Sequence, residues 1–193
     1  MHQNTPNLKK DIRFEAKLRG LPLTFYSTWG LFSPEHIDEG TALLLNEIEV
    51  KRNNTSLDLG CGYGPIGLVL AKLSPGGTVH LIDKDFVAID YAKKNAIANN
   101  APNCKIYLSN GFSHVPKDLR FDLIASNLPA KSSKELYWIL FNDARQHLKP
   151  GGKFYVVTIS GLKEFIKRNF QETFGNYKKL KQGKTYTAAM ATH

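Results

Sequence analysis

The feature that most constrains the fold is Asp58-Leu59-Gly60-Cys61-Gly62-Tyr63-Gly64, three glycines at alternate positions directly after a short apolar stretch at 56–59. Glycine reaches backbone conformations that a Cβ forbids, so this spacing predicts a sharp turn out of a strand. Pro65 then stands at the start of a helical pattern over 66–73, a position its fixed φ favours. Strand, glycine loop and helix in that order are how doubly wound sheets open a ligand crevice at a strand's carboxyl end. Backbone N–H groups in such a loop are expected to approach a ligand closely, and the helix N-terminus favours negative charge. Two registers compete: Gly62-Tyr63-Gly64-Pro65-Ile66-Gly67 also fits the dinucleotide fingerprint, and a purely structural tight turn is a further alternative.

The rest of the chain continues the alternation. A strand at 78–82 precedes Asp85, placed to cap a helix with Phe86, Ile89, Ala92 and Ala96 on one face. Strands follow at 105–108 and 121–125. Ser132-Ser133-Lys134-Glu135 reads as a capping box opening a helix with Tyr137, Leu140, Phe141, Ala144 and Leu148 inward, stopped by Lys149-Pro150-Gly151-Gly152. A strand at 153–158 and a helix at 162–174 come next, and 177–180 with 185–191 flank Gln182-Gly183-Lys184 as a hairpin. Before the glycine loop, Ser33-Pro34-Glu35 is expected to start a helix turning Ile37, Leu44, Leu45 and Ile48 inward. This order predicts an α/β fold, a doubly wound and mostly parallel sheet with helices on both faces and an antiparallel end. Residues 1–35 are expected to form an N-terminal arm packing on one domain over 36–193.

With 42% apolar and 22% charged residues in 193, the chain can build one core, which excludes intrinsic disorder. The longest apolar runs, 66–71 and 136–141, fall far short of the ~20 residues of a membrane span. The first ten residues carry no signal-peptide core, so a cytoplasmic location is expected. Cys61 and Cys104 lack CxxC spacing and the histidines are scattered, so neither a disulfide framework nor a metal site is expected. The formal charge of +9 is concentrated late, in Lys163, Lys167, Arg168, Lys178, Lys179, Lys181 and Lys184. Such a surface attracts polyanions such as RNA, or is a solvated face. The sequence leaves the oligomeric state open.

Three further positions suggest chemistry. Asp83, ending the second strand, can accept from both hydroxyls of a ribose, or cap a helix, although Asp85 is better placed for that. Asn110, after the third strand, offers an amide edge suited to adenine, or is a turn residue. After the fourth strand comes Ser126-Asn127-Leu128-Pro129-Ala130, which is also readable as an Asn-Pro turn.

The acid two residues before Gly60, with the antiparallel ending, is similar to the first motif of class I S-adenosylmethionine-dependent methyltransferases. Their fold is a Rossmann-like, mostly parallel seven-stranded sheet with a C-terminal antiparallel hairpin. The stretch from Ser126 to Ala130 resembles the Asn-Pro-Pro-aromatic motif of methyltransferases acting on exocyclic amines or amides, with Leu128 for the first proline and Ala130 for the aromatic. In that motif the asparagine side-chain carbonyl and the next backbone carbonyl accept from the target NH2 group. Ala130 cannot stack on a base. Trp29-Gly30-Leu31-Phe32-Ser33, Ile37-Asp38 and Gly40-Thr41, ahead of Leu43-Leu44-Leu45, are similar to a segment of the ribosomal RNA small subunit methyltransferase C family, as is Ser109-Asn110 before Phe112. Members of that family methylate guanine N2 of 16S ribosomal RNA, and this chain is closer in length to single-domain relatives than to those with an additional N-terminal domain.

The resemblance implies that Asp58, Gly60, Cys61, Gly62 and Gly64 line S-adenosylmethionine, that Asp83 with Lys84 holds its ribose, and that Asn110 faces adenine. Thr41 would close the site, Asn127, Leu128 and Pro129 would position the amine, and ribosomal RNA would be the partner. Phe32 is a second candidate to close the site, beside the methionine moiety or the base, and both it and Thr41 also read as core or helix-start residues. Phe25, Tyr26 and Trp29 are candidates to stack a flipped base, or form a satellite core. Methylation of a protein amide or small amine, a cofactor-binding module of weak activity, and a nicotinamide dehydrogenase are the alternatives.

Overall fold

The computed structural model describes residues 11–193; the ten residues that bear on the location expectation lie outside them. The chain begins with a hairpin, β1 (Ile12–Leu18) and β2 (Leu21–Ser27), where the sequence reading has only an aromatic-rich arm. Arg19 and Gly20 join the strands with φ of 50° and 81°, two positive values that suit a two-residue hairpin turn. The signal was present: Ile12, Phe14, Ala16 and Leu18 alternate with Arg13, Glu15 and Lys17, the period of a half-buried strand.

The first helix, α1 (Glu39–Glu47), starts later than Ser33-Pro34-Glu35 predicts. Ser33 has a φ of 50° and its hydroxyl donates to the His36 carbonyl, closing a local turn. Asp38 is the cap instead, accepting from the Thr41 N–H at 3.0 Å. The alternating units follow: β3 (Ser56–Leu59), α2 (Pro65–Leu73), β4 (Val79–Asp83), α3 (Phe86–Ala98), β5 (Cys104–Leu108), β6 (Phe121–Asn127), α4 (Lys134–His147) and β7 (Leu148–Ile159). Then come a 3-10 turn, α5 (Lys163–Phe174), β8 (Lys178–Gln182) and β9 (Tyr186–Thr192). Asp85 caps α3 as expected, and Ser133 caps α4. Leu148 belongs to β7 rather than to the preceding helix. Pro150 to Gly152 are absorbed as a register shift opposite Phe121 and Leu123, with Gly151 and Gly152 exchanging hydrogen bonds with His193.

The main sheet has seven strands in the order β5-β4-β3-β6-β7-β9-β8, parallel except where β9 runs against β7 and β8. On one face Leu44, Leu68, Val69, Ala92 and Phe25 belong to a core fed by α1, α2, α3 and the hairpin. On the other, Phe141, Phe154 and Phe170 form edge-on and tilted ring contacts under α4 and α5. Two asparagines one turn apart, Asn95 on α3 and Asn99 at its C-terminal cap, fasten the hairpin. Asn95, fully buried, accepts from Tyr26 N–H at 2.7 Å and donates to its carbonyl at 2.8 Å, and Asn99 does the same for Thr24. The side-chain amides thus occupy the β2 edge as a neighbouring strand would. Among the described residues no helix is long and apolar enough to cross a membrane.

The order of connection reverses between β3 and β6, and in such sheets the crevice at the carboxyl ends of those strands is where ligands bind. The glycine loop leaves β3 and Asn127 ends β6, so neighbouring strands bring them together.

Candidate functional site

A cleft of about 490 Å3 opens at that reversal. Its walls include Asp58, Gly60, Cys61, Asp83, Lys84, Asn110, Asn127, Leu128, Pro129 and Thr41. Gly62 and Gly64 stand in the same loop with φ of 54° and 97°, alongside Gly60 at 72°. These backbone values are what requires glycine here.

The loop does not present its N–H groups to the cleft as expected. Those of Gly60 and Cys61 donate to the Ile82 carbonyl at 2.9 Å, that of Gly62 to the Asp83 carboxylate at 2.9 Å, and that of Gly64 to the Cys61 carbonyl. At the start of α2, Gly67 N–H donates to Asp58 at 2.7 Å, so the chain's own carboxylate already holds the position an anion would take. With Asp38, Asp58 and Asp83 against Lys84 and Lys131, the lining carries more acid than base. A phosphate-bearing dinucleotide is therefore poorly matched, and a cationic ligand is well matched.

Asp58 supplies the sharper test. Its second oxygen, Oδ1, is buried with no hydrogen-bond partner, and burial, opposed by the Gly67 hydrogen bond and aided by the Asp83 charge, pushes its carboxyl up to about 7. An ammonium group in the cleft gives that oxygen the partner it lacks. Asp83 uses one oxygen for Gly62 and the other for the Asp85 N–H, leaving lone pairs on both for a diol.

On the other wall Asn127 Nδ2 donates to Asp38 Oδ2 and to Thr41 Oγ1, each at 2.9 Å. Both amide protons are used, and Oδ1 remains as an acceptor on the opposite side of the amide. Leu128, 3% exposed, is held by its N–H on the Val157 carbonyl, and the Tyr137 hydroxyl donates to the Pro129 carbonyl. Thr41 thus touches Asn127 and caps nothing itself. Tyr186, from the C-terminal hairpin, lines the cleft and donates to Asp38 Oδ1 at 2.8 Å. Sequence reasoning assigned no role to Tyr186 or to Asp38, because nothing local to either residue marks the contact.

The aromatic candidates divide differently from expectation. Phe25 is fully buried against Phe14 and Tyr63, and Tyr26 is half-buried beneath Lys94 Nζ at 4.3 Å. Trp29 is exposed but is not part of the cleft wall. Phe32 is 66% exposed and lines the cleft, so of its two readings the core one fails. The Tyr63 hydroxyl, bonded to the Ser33 and His36 carbonyls, pins the segment carrying it to the glycine loop. Among the basic residues, Lys178, Lys179 and Lys181 lie along β8, the outer edge of the sheet, where lysines discourage a second chain from adding a strand. Lys184 sits in the β8–β9 turn, two residues from Tyr186.

Compared with known proteins, residues 22–189 match the methyltransferase small domain. A Bacillus subtilis protein named YbxB is 35% identical over 158 residues, which cover 81% of this chain and 79% of that protein. The ribosomal RNA small subunit methyltransferase C of Haemophilus influenzae is 34% identical over 78% of this chain and 46% of its own length. The ribosomal RNA large subunit methyltransferase G of Shewanella oneidensis is 32% identical over 70% and 37%. The chain therefore spans half or less of those ribosomal RNA methyltransferases. A solved Thermus thermophilus 16S rRNA N2 methyltransferase, in complex with AdoMet and guanosine, superposes with a TM-score of 0.88 at 27% identity, over 99% of this chain and 53% of that one.

Proposed function

The chain belongs to the methyltransferase small domain family and is an S-adenosylmethionine-dependent methyltransferase; on that premise we propose that it methylates an exocyclic amine of ribosomal RNA, with guanine N2 as the target. The observation that carries this reading is the Asn127 amide, whose nitrogen is fully engaged and whose oxygen is the group left to meet substrate, beside the Leu128 carbonyl. Two acceptors side by side suit an NH2 group with two protons to donate. The choice of guanine rests on the Thermus thermophilus neighbour solved with guanosine, and the choice of ribosomal RNA on the relatives. A cytoplasmic location belongs to the same proposal. Family membership sets aside the nicotinamide alternative.

When bound, S-adenosylmethionine supplies a methyl group on a cationic sulfur, already activated for transfer. Asp58 would take its ammonium group, Asp83 its ribose hydroxyls and Asn110 its adenine edge. Asn127 Oδ1 and the Leu128 carbonyl would hold the amine with its lone pair toward the methyl carbon. The amine would gain that methyl group and give up one proton to water at the cleft mouth, while Asn127 Oδ1 and the Leu128 carbonyl keep it in place. The chain's contribution is alignment and exclusion of water, with no covalent intermediate on the protein. Phe32, exposed in the same cleft lining as Ala130, is an aromatic surface available to the base.

Radiolabel transfer from S-adenosylmethionine to undermethylated ribosomal RNA tests the reaction. A labelled product that resists ribonuclease but not protease would move the substrate to a protein amide.

The raised Asp58 carboxyl sets a pH dependence. The folded state binds this proton more tightly than the unfolded chain, so the stability it contributes declines as pH rises from its ordinary 3.8 to about 7. A cationic ligand favours the carboxylate, so cofactor affinity is expected to weaken by up to about tenfold per pH unit below 7. Calorimetry from pH 5.5 to 7 would show it in the native protein and not in Asp58→Asn; a flat native profile removes Asp58 from cofactor binding.

RNA affinity gives a second test. Replacing Lys181 and Lys184 with glutamine is expected to reduce the slope of log affinity against log salt by about one to two, with cofactor affinity unchanged. An unchanged slope would place the RNA path elsewhere.

A further inference from the structure

We infer that Asp38 and Tyr186 are positioning residues that fix the Asn127 amide with its oxygen toward the acceptor substrate, making that wall of the cleft one that only a hydrogen-bond donor can use. The inference rests on the proposed role of Asn127. Its first support is chemical. An ionised carboxylate only accepts, so Asp38 Oδ2 at 2.9 Å from the Asn127 amide tolerates nitrogen there and repels oxygen. A turn of the amide by half a revolution would set two acceptors against each other and present NH2 to the incoming amine. Thr41 Oγ1, the other partner of Nδ2, is a hydroxyl that either donates or accepts and so cannot enforce the choice alone.

The second support is steric and independent of the first. Gly40 occupies the first turn of α1, where alanine would favour the helix by about 1 kcal/mol. A Cβ at Gly40 would lie 2.8 Å from Tyr186 Cδ1 and 2.9 Å from Asp38 Oδ2. Glycine at this position lets the ring and the carboxylate close on each other over the backbone. The Tyr186 hydroxyl then donates to Asp38 Oδ1, which holds the carboxylate plane while Oδ2 serves both the Thr41 N–H and Asn127. That hydrogen bond is also the chief reason the Tyr186 phenol is held up at about 12. The strand β9 thereby reaches across to the acceptor wall, which neither α1 nor β6 completes by itself.

The test separates orientation from activity. Asp38→Asn keeps a good helix cap but can present either a donor or an acceptor to Asn127. Tyr186→Phe removes one hydroxyl and leaves the ring against Gly40. In the unliganded protein, hydrogen exchange of the Asn127 side-chain NH2, followed by 15N NMR, is expected to quicken about tenfold or more in Asp38→Asn, and less in Tyr186→Phe. Methyl transfer is expected to fall about tenfold or more in Asp38→Asn with cofactor affinity within about twofold, because a misoriented acceptor costs rate rather than cofactor binding. Exchange at the wild-type rate in both variants would overturn the inference whatever the activity shows. Normal transfer in Asp38→Asn, in an assay where Asn127→Ala is inactive, would overturn it too. Normal transfer in Asn127→Ala instead refutes the acceptor role proposed for Asn127, and the exchange rates still decide whether Asp38 and Tyr186 orient its amide.

Discussion

Replacing Asn127 with alanine is expected to lower methyl transfer about 100-fold or more while cofactor affinity stays within about twofold, since losing one placed group costs alignment in the transition state. The side chain is half-buried at the end of β6, and its removal leaves Asp38 still bonded to the Thr41 N–H and to Tyr186. The fold should therefore lose only about 2–3 kcal/mol, the net value of two such hydrogen bonds, one of them to a carboxylate. Asn127→Asp is the more informative companion. It places a second carboxylate 2.9 Å from Asp38, where one of the two must keep a proton. Its residual activity is expected to fall as pH rises and that proton is lost. Tritium transfer with a calorimetric cofactor titration checks both variants, and undiminished transfer in Asn127→Ala would remove this residue from the mechanism.

Substituting Gly67 with alanine is expected to destabilise the protein by about 2–3 kcal/mol, as overpacking of a close-packed contact does. In an exposed helix the same change would stabilise by about 1 kcal/mol, so the sign itself is diagnostic. Here a Cβ would lie 2.4 Å from Leu81 Cγ and 2.5 and 2.8 Å from its methyl carbons. Leu81 is fully buried in the centre of β4 and α2 is buried along its first seven residues, so neither element can retreat without opening the core. The shift would also pull the Gly67 N–H from Asp58, disturbing the cleft floor. Thermal and urea unfolding should show a Tm lowered by about 5–10 °C. Adding Leu81→Ala should recover part of the loss in a double-mutant comparison. Unchanged or raised stability in Gly67→Ala would refute the packing account.

Much of the fold was legible because its signals are local. The apolar 56–59 stretch, the glycine spacing, Pro65 and the Asp85 cap each act within a few residues, and each stands where expected. Gly67 belonged only to the dinucleotide register, whose third glycine serves close helix-to-strand packing, and against Leu81 it has that packing role here too. What separates the two readings is the direction of the loop N–H groups, and those are taken up by Ile82 and Asp83 from a neighbouring strand. The first hairpin was legible in its alternation and went unread amid the aromatic residues. Its attachment was not legible, because it depends on Asn95 and Asn99 standing in for a strand some seventy residues away. Ser33 made a better local helix start than Asp38 until the Asp38 contacts with Thr41, Asn127 and Tyr186 were visible.

By itself, then, the sequence determined the alternation of strands and helices, the glycine loop after β3 and the placement of Asn127 at the end of β6. These follow from backbone freedom, capping and hydrophobic period, which neighbouring residues decide among themselves. Only the tertiary structure decided which edge of the Asn127 amide is tied to Asp38 and Thr41 and which is left as an acceptor, that Phe32 stands on the cleft wall, and that Tyr186 reaches Asp38 across 148 residues of chain. Those depend on strand order, because β9 pairs with β7 and β7 with β6, and hydrogen bonds of 2.8 to 2.9 Å form only where the sheet has already set the distance.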